Sequence, residues 1–156
     1  MATTLGYTGA GQPQILMSTV QLAQADISGL FTTPVVLVPA PGPYNFNRLV
    51  RCEIQTRIVT SWVVGASATL DVYYADGTLN PVLASIPTAD ITILCTAGSV
   101  RFATLLTKNV ALATADNNKP IQLRMGTAGM TSGGNAADLM LVRTYYISEP
   151  LIRVTF

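Results

Sequence analysis

The sequence predicts an all-β protein, a jelly-roll-like antiparallel β-sandwich with an extended N-terminal arm. Three observations carry this prediction. Roughly eight short runs rich in β-branched and aromatic residues recur about 8–15 residues apart, the spacing of a sandwich or jelly roll. No long stretch has the apolar period of an amphipathic helix. Residues 32–50 read as a strand, a proline corner and a return strand, the pattern expected where a chain crosses from one sheet to the other.

In that stretch Val35, Val36, Leu37 and Val38 form a run bounded by Pro34 and Pro39. Pro39, Pro41 and Pro43, with Gly42, then form a stiff bend. Proline has no amide donor, so this bend cannot lie inside a paired sheet.

Taken in order, residues 1–14 are small and lack apolar periodicity, so they read as a frayed terminus or as an arm that orders only against a neighbour. Residues 15–25 read as a strand, with Ser18, Val20 and Leu22 on one face. Together 1–25 is taken as the arm and 26–156 as the sandwich domain, closing in a C-terminal strand over 148–156. Asp26 begins a short helical turn that Gly29 ends. Residues 48–60 alternate, with Val50, Cys52 and Ile54 pointing inward and Arg51, Glu53, Gln55 and Arg57 outward. Trp62 reads as a core anchor, since large aromatics usually bury their area.

Residues 69–74 place Leu70, Val72 and Tyr74 inside and Asp71 and Tyr73 outside. Asp76 and Gly77 signal a tight hairpin, with a short partner strand at 79–83 and a break or single helical turn at 86–90. Residues 91–95 and 100–106 read as strands, with Phe102 in the core. Residues 121–125 form another strand, and 126–137 a long glycine-rich loop. Residues 138–147 form the last strong strand. Both its faces are partly apolar, which predicts cover from the core on one side and a neighbour on the other. Ser148, Glu149 and Pro150 turn the chain into the apolar segment 151–156, expected to pair with a sheet of its own or an adjacent subunit.

Composition narrows the function. Charged residues make up 11 % of the chain, under half the usual ~25 %. So few charges leave much surface to be covered by copies of the chain or by a larger body. A net charge of +1 argues against steering onto nucleic acid or anionic lipid. No stretch reaches the ~18 apolar residues of a membrane span, and no basic start followed by an apolar block marks a leader. Synthesis in a cytosol is expected.

Reactive chemistry has little to work with. Histidine is absent, which removes the commonest general base and metal ligand. Cys52 and Cys95 are the only cysteines and read as buried free thiols, too few for a zinc site. The carboxylates are scattered, the Asp116 turn lacks the ligand spacing of a calcium loop, and the 126–134 glycines lack the Gly-Lys-Ser/Thr of a phosphate loop. The expectation is no enzyme, no cofactor and no metal. Assembly contacts fall to Leu16, Arg51, Arg57, Tyr145, Leu151, Ile152 and Phe156. For the arginines the competing reading is a solvated mixed-charge strand.

Residues 31–42, FTTPVVLVPAPG, resemble the early segment of small structural proteins of tailed bacteriophages. There, a similar run follows a short turn and opens a jelly-roll-like sandwich. The later order is also similar, ending in a strand with Arg143, Thr144, Tyr145 and Tyr146, and the likeness spans roughly 26–147. That family includes capsid decoration, or cement, proteins. The resemblance implies a virion protein, assembled in the host bacterial cytoplasm as a homodimer or homotrimer. It would bind the outside of the head and brace neighbouring copies of the major capsid protein, with no nucleic-acid or membrane partner. No individual residue role transfers. Both ends are then candidate clamping contacts, whose removal should leave a folded chain that no longer binds shells. The rival expectation is a tail or fibre domain that binds host-surface glycans through Tyr73, Tyr145 and the 126–137 loop.

Overall fold

The proline corner does cross between sheets. In the computed structural model, which describes residues 14–75, 77, 80–108 and 118–150, the chain before the corner lies in one sheet and the chain after it in another. The elements run β1 (Leu16–Ala23), α1 (Gln24–Gly29), β2 (Val35–Val38), β3 (Asn45–Arg57), β4 (Trp62–Val64) and β5 (Thr69–Tyr74). They continue β6 (Val82–Pro87), α2 (Thr88–Leu94), β7 (Val100–Leu106), β8 (Ile121–Gly126), β9 (Met130–Gly133) and β10 (Leu139–Pro150).

The first sheet has the order β1-β10-β3-β7, the second β2-β8-β5-β6, and β4 pairs with β9 alone. All pairings are antiparallel. With β4 and β9 set aside, every connection changes sheet except the β5–β6 hairpin. This is the strand order of a jelly roll. The core lies between the sheets, with Leu22, Ile54 and Val142 from one meeting Leu37, Val72 and Leu123 from the other. Each such side chain contributes roughly 1.5–3 kcal/mol by leaving water. Side-chain bonds to backbone also stitch the layers. Ser18 Oγ donates to the Leu37 carbonyl at 2.6 Å, and the Tyr74 hydroxyl donates to that of Asn47.

Several expectations are corrected. Residues 16–23 of the proposed arm are an edge strand, paired along their whole length with β10 of the same chain. Residues 91–95 do not form a strand. Pro87 stands at the N-cap of α2, Asp90 lies in its first turn, and Ile91 and Leu94, three apart, are the buried face. β3 does not alternate throughout. Tyr145 pairs with Arg51 but Tyr146 with Leu49, so Val50 is the extra residue of a β-bulge and Leu49, not Val50, points inward. The partner of β5 is Val82–Pro87, which leaves Asn80 and Pro81 outside it, and residue 79 lies outside the described residues. Residues 148–150 continue β10 against Asn45, Phe46 and Asn47 instead of turning away. The rest of the proposed C-terminal strand, 151–156, lies outside the described residues, as do 1–13 of the arm.

The glycine-rich stretch 126–137 contains β9, paired with β4. A side chain at Gly134, which has φ +83°, would strike the Trp62 ring. Trp62 itself is buried, as expected, and donates through Nε1 to Asp138 Oδ2 at 2.9 Å. The buried Asp138 carboxylate also accepts from the amides of Val59, at 2.6 Å, and Asn135, at 2.7 Å. One side chain thereby gathers the end of β3, the start of β4 and the approach to β10.

Phe102 is not in the core. It is 71 % exposed, with Leu106 at 75 % on the same face of β7, while Leu105 points inward.

Candidate assembly surface

Strand alternation and pairing register lay out the outer face of the first sheet in rows. Leu106 of β7 sits opposite Arg51 of β3, which sits opposite Tyr145 of β10, which sits opposite Met17 of β1. The next rows are Thr104, Glu53, Arg143 and Thr19, and then Phe102, Gln55, Leu141 and Gln21. The last is Val100, Arg57, Leu139 and Ala23. Three of the seven predicted contact residues, Arg51, Arg57 and Tyr145, therefore share one face. Leu16 turns the other way and packs half-buried against the core. Leu151, Ile152 and Phe156 lie outside the described residues.

This face is mixed rather than uniformly charged. The Arg51 guanidinium lies 4.2 Å over the Tyr145 ring and 3.2 Å from the Glu53 carboxylate. The Tyr145 hydroxyl donates to Glu53 at 3.2 Å. Arg, Glu and Tyr thus hold one another in fixed orientations on an otherwise exposed sheet. Towards β7 the surface becomes apolar, through Val100, Phe102 and Leu106. The sequence reading missed these three. Both faces of 100–106 carry apolar residues, and only the pairing of Phe102 with Gln55 shows which side faces out.

The outer face of the second sheet is different. Asp71 and Tyr73 do point away from the core, yet they are only 7 % and 4 % exposed. Arg124 lies 4.2 Å over the Tyr73 ring and 3.9 Å from Asp71. Ser85 donates to Asp71 at 2.7 Å, and the Tyr73 hydroxyl donates to Gln122 at 2.7 Å. Burial pushes the Tyr73 phenol above its ordinary pKa, partly offset by the Arg124 charge. Among the described residues Arg124 Nε is buried without a hydrogen-bond partner, so its charge is held by the Asp71 carboxylate and the Tyr73 ring alone.

Cys52 and Cys95 are fully buried free thiols. Burial pushes both up to about 12, so neither is a nucleophile near neutral pH. Among the described residues no three His, Cys, Asp or Glu side chains come together as metal ligands. Among the same residues no helix is long and apolar enough to cross a membrane.

No family model matches the chain, and none of the curated proteins does. Among solved structures it is similar to a chain from the acid-stable capsid of Helicobacter pylori bacteriophage KHP30. The identity is 11 % over 94 % of this chain and 93 % of that one, with a TM-score of 0.43. It is also similar to a chain from the disulfide-linked pili of Bacillus endospore appendages. There the identity is 15 %, the coverage 92 % and 97 %, and the TM-score 0.37.

Proposed function

We propose that this protein is a structural virion component, a capsid decoration protein. On this reading it binds the outside of a tailed-phage head, braces neighbouring major capsid subunits and acts by burying surface. The observation that carries the reading is the outer face of the first sheet. There an exposed apolar edge runs into a pre-ordered Arg51, Glu53 and Tyr145 cluster, on a chain with only 11 % charged residues. Arginine and aromatic residues beside an apolar patch are the composition of protein interfaces. The likeness of residues 31–42 to phage structural proteins supplies the kind of partner. The jelly roll is compatible, since viral capsid domains use it, but lectins and cupins use it too, so the fold alone does not choose.

The glycan-binding alternative loses its aromatic parts. Tyr73 is buried, Tyr145 lies under Arg51, and Met130–Gly133 of the 126–137 loop are paired as β9 with β4.

The test is to mix purified protein with undecorated capsids and sediment them. Stoichiometric retention that falls at least tenfold in the double variant Arg51→Ala, Phe102→Ser supports the reading. No retention of the unmodified chain, or equal retention of the variant, rejects it.

A further inference from the structure

The two sheets end on the same side of the sandwich in edge strands, β6 and β7, where the Lys108 amide just after β7 donates to the Leu83 carbonyl of β6 at 2.7 Å. Between them, roofed by α2, runs an open groove of about 550 Å³ lined by Pro87, Asp90, Ile93, Leu94, Phe102 and Leu106. Ile93 is 54 % exposed within it, beside the exposed Phe102 and Leu106. Among the described residues no strand pairs with the free edge of β7. Long apolar edges of this kind are templates for an added strand. Asp90 is the one acid lining the groove, and among the described residues it has no ionic partner.

We propose that this groove receives residues 151–156 of a second copy of the chain, which adds to β7 as a further antiparallel or parallel strand. The sequence Leu-Ile-Arg-Val-Thr-Phe fits in both respects. Extended, it puts Ile152, Val154 and Phe156 on one face, to continue the apolar row of Val100, Phe102 and Leu106. Arg153 falls on the other face, towards Asp90. Reach excludes the chain's own segment. Pro150 pairs with Asn45, six residues along β3 from the Arg51 that pairs with Leu106, and β10 lies on the far side of β3 from β7. Six residues span at most roughly 20 Å. That length is spent in reaching the near end of β7 and leaves none to lie along it. Reciprocal exchange would close a dimer, and one-way donation would leave an open series.

The inference goes beyond the proposed function and takes up the self-association that the resemblance implies. Capsid binding by a strictly monomeric chain would overturn it and leave that function standing. The experiment is sedimentation equilibrium of the full chain beside Asp90→Arg, Arg153→Asp and the double variant. Self-association weakened about tenfold in each single variant and restored within roughly threefold in the double is expected. A monomer at all concentrations, unaffected single variants or a double variant that stays weak overturns the proposal. Hydrogen exchange on the unmodified chain gives a second reading that needs no variant. Protection of β7 amides should rise with protein concentration. Protection independent of concentration would mean that the chain's own residues 109–117 cover the edge, and would overturn it equally.

Discussion

Cys52 faces the core from β3, opposite Thr144 of β10. Cys95 follows α2. Each holds its proton up to about 12 in the folded chain, against an ordinary value of 9.0. Between those values the unfolded chain binds fewer protons than the folded one. Stability is therefore unaffected below the window and falls as pH rises through it. Urea midpoints should be flat from neutral pH to about 9 and drop above it, with a shallower drop in Cys95→Ala. A thiol reagent at neutral pH should label neither cysteine until denaturant is added. Asp138 is the other residue with a sharp consequence. Asp138→Ala leaves the Val59 and Asn135 amides and the Trp62 indole without their acceptor. A loss of about 3 kcal/mol in urea denaturation, with an altered Trp62 emission spectrum, is expected.

At the scale of elements, β7 and α2 show where alternation and propensity stop deciding. In 100–106 both alternating sets contain apolar residues, so either phase is locally acceptable. Register with β3 selects the phase that exposes Phe102. Phe102→Ser should therefore change stability by no more than about 0.5 kcal/mol, the range of surface substitutions. A core phenylalanine would cost several times that on calorimetry or denaturation. The isoleucines and threonine of 91–93 favour a strand by propensity, yet they lie in a helix because Ile91 and Leu94 on one face fill the space beside β5 and β6. The bulge at Val50 has a similar origin. It slips the alternation by one so that Leu49 and Cys52 both face the core along a single long strand. Gly134→Ala should destabilise measurably, because the added methyl meets the Trp62 ring rather than open space.

For the whole molecule, the strand order makes the two ends of the chain interdependent. β1 is held by β10 along eight paired positions and buries Leu22 and Ser18. Removing residues 1–25 should abolish cooperative thermal unfolding, where an appended arm would leave the melting transition in place. A truncation that melts normally would show that β1 contributes little to the sheet. The same order leaves β6 and β7 as neighbouring edge strands, which is why apolar surface concentrates there and not elsewhere on the first sheet.

By itself the sequence determined the sandwich class, the sheet-crossing role of the proline corner after Val38, the burial of Trp62 and both cysteines, and the outward face of Arg51, Arg57 and Tyr145. All of these follow from local rules. Proline cannot donate to a sheet, large aromatics and thiols shed water, and charges at every second position must share a face. Only the tertiary structure decided that residues 16–23 belong to the main sheet, that 91–94 are helical, that Phe102 is exposed and that Val50 is bulged. Each depends on which strand lies alongside. Side chains with two locally equivalent orientations are assigned by the shape of the space their partners leave.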